Sequence, residues 1–288
     1  MKVSQPAGNR VSRPWAVKNL QPLPAIAVRL MRLVSTDDVV FQRVADLIRV
    51  DPTFSAEVMR LANSPLLGCR EGVQGIMHAL AILGLDRLKG LVMTVALRNF
   101  LSSALEVPAL LRCWRHSLAS AVLCEELASA SMLAKDKCYT AALLHDLGRL
   151  ALLATYPQDY AELLQEAAEG DLGESDLLDR ERDRFDADHT EVGAWLAQDW
   201  QFPAEYVEVT RHHHDPSSPQ GFGMLTAVQL SCRLADMLGF QVAGAAPLTS
   251  IEELKPQFPG CSWERVRPEN DLLLEVAGKV NALECSLL

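Results

Sequence analysis

The chain has no long apolar run, no paired cysteines and no excess of basic residues, the features that would place it across a membrane, in an oxidising compartment or along a nucleic acid. Its most apolar stretch, residues 141–154, is interrupted by His145, Asp146 and Arg149, whereas a spanning helix needs about 20 predominantly apolar residues. The first 20 residues carry basic side chains but no apolar core of the kind a signal peptide requires. Seven cysteines, at positions 69, 113, 124, 138, 232, 261 and 285, are scattered, odd in number and without a C-x-x-C pair. They read as reduced, mostly buried thiols of a cytoplasmic protein, with Cys124 and Cys138 acting as small hydrophobes in apolar helical patterns. Acidic residues outnumber basic ones by 37 to 27, a formal charge of -10. That balance argues against a broad nucleic-acid or anionic-membrane surface, because such binding rests on Lys and Arg meeting phosphates. No stretch alternates as a half-buried strand would, and no internal repeat or low-complexity tract is present, so the expected class is all-α.

With 288 residues, 49% of them hydrophobic and 22% charged, the chain is expected to be globular, with one large domain or two modest ones. Residues 1–19 carry Pro6, Gly8, Asn9 and Pro14 without periodic hydrophobicity and read as a flexible leader. Helices are expected after Pro24. Val40, Val44, Leu47 and Ile48 recur at helical spacing, Asp51-Pro52 reads as an N-cap followed by proline at the first helical position, and Phe54, Val58 and Leu61 share the next face. Gly68, Gly72 and Gly75 mark a loop, and Ile76–Leu83 and Asp86–Leu101 give two further helical patterns. Pro108 opens a segment whose apolar positions 110, 111, 114, 118, 122 and 123 place His116 inside a helix. The segment from Gly170 to Asp188 is dense in charge and reads as a solvated helix or loop face. A loose connector, Gly239–Pro268, precedes a closing helix from about Glu269 to Leu283. The expected division is a leader (1–19), an N-terminal helical lobe (20–105), a second helical lobe with the candidate site (106–240), and a connector with closing helix (241–288).

The chemistry is concentrated in the second lobe. In Ala141-Ala142-Leu143-Leu144-His145-Asp146-Leu147-Gly148-Arg149-Leu150 an imidazole and a carboxylate stand side by side in what reads as an otherwise apolar helix. Burying both is costly without a partner, and a divalent cation is one, since neutral imidazole and ionised carboxylate are its ordinary ligands. Further candidate ligands are His116, His189, His213, His214 and Asp236, and six of the seven histidines fall between 116 and 214. Each has a plainer reading. His116 can be a hydrogen-bonded core histidine, His189 a residue at a helix start, and Asp236 the partner of Arg233 one turn away. Three consecutive histidines cannot all face one site, and His213 is the first choice, His214 the second, with His212 a neighbour. Nitrogen and carboxylate ligands without thiolates point to iron, manganese or zinc, as one or two ions.

The order His, His-Asp, one or more His, late Asp resembles the HD superfamily of metal-dependent phosphohydrolases. Toward the N-terminus, Leu20-Gln21-Pro22-Leu23-Pro24-Ala25-Ile26, Ile48-Arg49-Val50-Asp51-Pro52, Leu61-Ala62-Asn63-Ser64 and Ala79-Leu80-Ala81-Ile82-Leu83-Gly84-Leu85-Asp86-Arg87-Leu88 are similar, in order, to the signatures of the HDOD family, the HD-related output domains of bacterial signalling. The resemblance runs from about residue 20 to about residue 240. It implies a multi-helix HD-type bundle with an HDOD-specific N-terminal lobe, and two metals bridged by Asp146 in those relatives that are active.

Two departures from the active pattern stand out. HD-GYP phosphodiesterases carry Gly-Tyr-Pro after their histidine pair, whereas this chain reads His213-His214-Asp215-Pro216-Ser217-Ser218-Pro219. They also tend to have Lys where Arg149 stands; Arg clamps a phosphate well but is a poor proton donor. Hydrolysis of cyclic di-GMP is therefore not expected. The leading expectation is a cytoplasmic regulatory or output module that acts by contacts with signalling proteins and retains a metal site in part or in full. The rival is a metal-dependent phosphohydrolase acting on a nucleotide or other phosphoester, with Asp146 and Arg149 in catalytic roles. Oligomeric state is not legible.

Overall fold

The structure, a computed structural model, describes residues 25–34, 41–63, 72–102, 105–170, 174–216, 221–243, 251–258 and 269–287. The expected leader (1–19), Gly68 and most of the connector lie outside them. Among the described residues every regular element is helical, as the missing strand pattern implied.

Helices α1 (Ala25–Val34), α2 (Phe41–Arg49) and α3 (Pro52–Ala62) each pack on α4 (Ile76–Leu101). The start of α3 follows its local chemistry: the Asp51 carboxylate accepts the Phe54 N–H at 3.0 Å and Pro52 occupies the first turn, where its missing N–H costs nothing. Phe54, Val58 and Leu61 are buried together, as their spacing required. The two helical patterns on either side of Gly84 are two helical segments of α4 that meet at a sharp break, where Gly84 adopts φ 76°, ψ 168° and a side chain would be strained.

Helix α5 (Pro108–Ser131) is the axis of the second half and packs on α6 (Lys135–Leu144), α12 (Met224–Met237) and the closing helix α14 (Glu269–Leu287). Of its expected apolar positions only Leu111 turns outward; Leu110, Trp114, Leu118, Val122 and Leu123 are buried, and so is His116. Helices α7 (Leu147–Thr155), α8 (Pro157–Glu169), α9 (Glu174–Phe185), α10 (His189–Asp199) and α11 (Ala204–His212) complete the bundle, with α10 packed on both α7 and α11. A short α13 (Ile251–Leu254) with a 3-10 turn (Lys255–Gln257) gives the connector more structure than expected, and α14 runs four residues beyond Leu283.

The charged stretch requires a correction. Leu177, Glu181 and Phe185 lie four residues apart along α9 and all three are buried, as is Asp188, so the segment is solvated on one face only.

Candidate metal centre

The His-Asp pair is not within a helix, as the apolar run suggested, but in the two-residue junction between α6 and α7. His145 retains helical angles (φ -55°, ψ -41°), and Asp146 at φ -93°, ψ 21° turns the chain into α7. Consecutive positions on one helix point about 100° apart; the turn at Asp146 lets both side chains reach the same interior region. Next to it, Gly148 permits α7 to meet α10 at backbone contact: a Cβ there would stand 1.9 Å from the His189 carbonyl oxygen and 2.5 Å from the Gly193 nitrogen. Gly193 faces it from the other side, with Thr210 Cγ2 2.6 Å from where its own Cβ would lie. Two glycines thus bring His189 close to Asp146.

Two groups of candidate ligands result, in each of which the donor atoms lie within 4.8 Å of one another: Asp146, His189, His213 and His214, and beside them His116, His145 and Cys232. In the first, Asp146 Oδ1 is 3.4 Å from His189 Nε2 and 3.5 Å from His213 Nε2, and His189 Nε2 is 3.1 Å from His214 Nε2. Asp146 Oδ2 faces the second group, 3.6 Å from His145 Nε2. A tetrahedral centre with bonds of about 2.0–2.2 Å separates neighbouring donors by about 3.4 Å, so these spacings suit a shared cation better than direct hydrogen bonds.

The tautomers point the same way. A carbonyl oxygen only accepts, so His145 Nδ1, 2.5 Å from the Ala142 carbonyl, and His213 Nδ1, 2.8 Å from the Thr210 carbonyl, must carry the proton. The neutral His145 ring is then left with a bare Nε2 lone pair, and the Nε2 atoms of both rings are buried without a hydrogen-bond partner, as is Asp146 Oδ1. Acceptors facing acceptors in a dry interior repel unless a cation sits among them, a part that the Arg149 guanidinium plays beside Asp146 Oδ1 and His189 Nε2 and that a metal would play for the whole set. The donor set therefore fits a divalent transition metal, with imidazole and carboxylate ligands leaving iron, manganese and zinc open.

Nearby charges act on the candidate ligands in both directions: burial disfavours a charge on His116 and His189, but Cys232 and Asp236 around the first and Glu181 beside the second hold both imidazoles above their usual pKa. Burial pushes the His145 imidazole down to about 3, so it is neutral at ordinary pH. Burial opposes ionisation of Asp146, but the Arg149 guanidinium, whose Nε lies 3.7 Å from Oδ1, outweighs it and holds the carboxyl well below its usual range. His214 is depressed by burial and by the neighbouring His213.

Glu181 is a residue of the candidate site that the charged run concealed. Its Oε2 accepts from both His189 Nδ1 and the His189 backbone N–H, each at 2.7 Å, and the Tyr160 hydroxyl donates to its other oxygen. A buried carboxylate that fixes the ring from behind leaves Nε2 facing Asp146, which is how metal-binding imidazoles are commonly oriented. The available signal was its place on the apolar face between Leu177 and Phe185. Asp188 closes the same corner as N-cap of α10, with Glu191 completing a capping box and Arg182 paired to it.

The remaining expected residues divide. His116 is buried on α5 with Nδ1 2.9 Å from the Phe240 carbonyl and 3.3 Å from Asp236 Oδ1, so Asp236 meets the ring on the side away from both ligand groups. Its Nε2 lies 3.3 Å from Cys232 Sγ, a residue not anticipated as a neighbour of the site. Arg149 is buried, with Nη2 3.1 Å from His189 Nε2. His212 points outward and pairs with Asp215 at 2.6 Å. Arg233 reaches Gln257 at 3.2 Å.

An all-helical bundle that gathers histidines and an aspartate from α5, the α6–α7 junction, α10 and the end of α11 defines the class, a protein with an HD-type core. A family model for the HDOD domain matches residues 20–216, and the chain belongs to that family. The match includes His116 through His214 and ends before Cys232 and Asp236. The fold is shared with an HDOD domain protein of unknown function from Geobacter sulfurreducens (24% identity, 93% of this chain and 92% of that one, TM-score 0.74). A candidate phosphohydrolase from Shewanella amazonensis SB2B is similar too (22% identity, 96% and 99% covered, TM-score 0.70). An uncharacterised protein of Treponema pallidum (strain Nichols) is 27% identical over 210 residues, and the match takes in 72% of this chain and 40% of that protein. The chain thus spans about two-fifths of that relative's length. No helix among the described residues is long and apolar enough to cross a membrane.

Proposed function

We propose that the chain is a metal-binding HDOD module of bacterial signal transduction, acting through contacts with signalling proteins rather than by turnover. The observation that carries the metal is the pair of buried Nε2 atoms of His145 and His213, 3.6 and 3.5 Å from the Asp146 carboxylate oxygens and without a hydrogen-bond partner. Asp146, His189, His213 and His214 would hold one ion, with His116 and His145 beside it. When bound, a divalent cation supplies Lewis acidity and attraction for anions. The chain's own residues do the rest: Glu181 and the Thr210 and Ala142 carbonyls set ring orientation, and Arg149 keeps Asp146 ionised.

Enclosure favours binding over turnover. His145, Asp146, His189 and His213 are at most 4% exposed, and His214 and Cys232 are half-buried. A closed ligand cage suits a metal that ties helices together, whereas a catalytic ion keeps a position open. Membership of the HDOD family supports the signalling role, as does a shared fold with a candidate signal transduction protein of Marinobacter aquaeolei VT8 (21% identity, 92% of this chain and 60% of that one, TM-score 0.70). A cytoplasmic location and the lack of a nucleic-acid partner belong to the same reading, the latter supported by the acidic balance.

Metal analysis of the protein as isolated tests it. One or two transition-metal equivalents, lost in Asp146→Asn, are expected, and metal-free protein that cannot be loaded would defeat the reading. The rival, a phosphohydrolase acting on a nucleotide or other phosphoester, is favoured by one observation, the Arg149 guanidinium lying against the ligands where it could clamp a phosphate. Fully loaded protein is expected to leave a phosphoester panel intact; turnover abolished by Asp146→Asn would decide for the rival.

A further inference from the structure

Cys232 and Asp236 stand one turn apart on α12 and flank His116 from opposite sides. The Phe240 carbonyl at 2.9 Å takes the Nδ1 proton of His116, with Asp236 Oδ1 at 3.3 Å on the same side. Nε2, on the other side of the ring, lies 3.3 Å from Cys232 Sγ and 3.5 Å from Ser120 Oγ. Burial disfavours a second proton on His116, but Cys232 and Asp236 outweigh it and hold the imidazole well above its usual pKa, so a metal ion on Nε2 would take the place of that proton. A hydrogen bond between His116 and the thiol would explain that contact alone. It would not explain His145, whose Nε2 lies in the same group, wholly buried and without a hydrogen-bond partner. Two imidazole nitrogens and a sulfur within 4.8 Å of one another form a ligand set of Cys-His-His type.

We infer that His116 Nε2, His145 Nε2 and Cys232 Sγ bind a zinc ion through a Cys232 thiolate, with Asp236 orienting His116 from behind instead of ligating. The inference rests on the metal-centre reading and deepens it by naming the second ion and its ligands. On binding, the Cys232 S–H bond breaks, an S–Zn bond forms and the proton leaves to water; no electron is transferred. A soft sulfur ligand shifts preference from manganese and iron(II) toward zinc, contrary to the thiolate-free set expected from the sequence. Asp236 behind the ring is the arrangement that strengthens an imidazole as a ligand.

The full-length chain, reduced and stripped of metal by chelation, is titrated with cobalt(II) without oxygen. Wild type should develop a near-ultraviolet sulfur-to-cobalt charge-transfer band. Cys232→Ser and Cys232→Ala should lack it while still binding cobalt at the Asp146 group, with circular dichroism confirming that they fold. Asp236→Asn should keep the band, with affinity about 10–100-fold weaker, the usual effect of losing an orienting partner. Zinc should also protect Cys232 of the wild type from alkylation, followed by peptide mass spectrometry, with the exposed Cys285 as internal control. Cobalt bound without the band, and alkylation of Cys232 unaffected by zinc, would overturn the thiolate while leaving the metal centre standing. Failure of any metal to bind would remove the metal-centre reading and this inference with it.

Discussion

The two ligand groups touch at Asp146 yet are built on different principles. The group of Asp146, His189, His213 and His214 contains buried charge of both signs, since Arg149 and the carboxylates of Asp146 and Glu181 neutralise one another within a few ångströms. In the group of His116, His145 and Cys232, burial leaves His145 neutral, whereas Cys232 and Asp236 outweigh burial and hold the His116 imidazole well above its usual pKa; Asp236 is 25% exposed behind His116. A charged cage can persist without metal because a guanidinium already sits among its candidate ligands. In the second group the place of a cation on the ring nitrogens can be taken by a proton or by a metal ion.

Substitutions at five positions would test that contrast. The largest effect is expected for Asp146→Ala, which removes a carboxylate shared by both groups and strands Arg149 in the interior. Breaking a buried ion pair from one side costs about 3–5 kcal/mol, to be read by denaturant unfolding of metal-free protein. Gly148→Ala should come next and damage only the charged group. Its Cβ would meet backbone, not a pliable side chain, at 1.9 Å, and a loss of about 3 kcal/mol is expected for an overpacked contact of this kind. Metal content should show the thiol-bearing group less affected. Glu181→Gln should weaken the ion at His189 by about 10–100-fold, measured by chelator competition, without altering the cobalt–sulfur signal.

Asp188→Ala removes the cap and capping box of α10 and should cost about 1–2 kcal/mol in thermal unfolding. The pH dependence has a definite sign. Burial opposes ionisation of Asp188, but the Thr190 hydroxyl, the Glu191 N–H and Arg182 hold its carboxyl below the usual value. A depressed carboxylate stabilises the fold above its unfolded pKa of about 3.9, and that contribution fades as pH falls through the lower folded value. Unfolding followed from pH 5 downward should therefore be flatter in Asp188→Asn than in wild type. His212→Ala should change stability by less than about 0.5 kcal/mol and metal content not at all, because the ring faces solvent.

Much was legible in the order of residues. Asp51-Pro52 marks a helix start with short-range chemistry alone, and Pro108 and Gly84 place a start and a break for equally local reasons. The HDOD family could be recognised because its motifs recur in sequence, and the His-Asp pair drew attention because it interrupts an apolar run. Three things were not legible. Glu181 is one of nine charged residues between 171 and 184, and only its alignment with Leu177 and Phe185 separates it from the solvated ones. Cys232 looked like another small buried hydrophobe, since its contact with His116 spans 116 positions of chain. Asp236 was expected to ligate or to pair with Arg233, and a single helical turn decided that it faces the far nitrogen of His116.

Helix periodicity, caps and motif order act over a few residues at a time, and they suffice to specify an all-helical chain of this family and the residue types available for a metal. Which of those residues meet depends on how distant helices pack. The Gly148–Gly193 contact sets the depth of α10 against α7, the turn at Asp146 sets the direction of two adjacent side chains, and the rotation of α12 sets sulfur rather than carboxylate against His116 Nε2. Ligation depends on donor positions to within a few tenths of an ångström, and that precision arises only when separate helices are packed against one another.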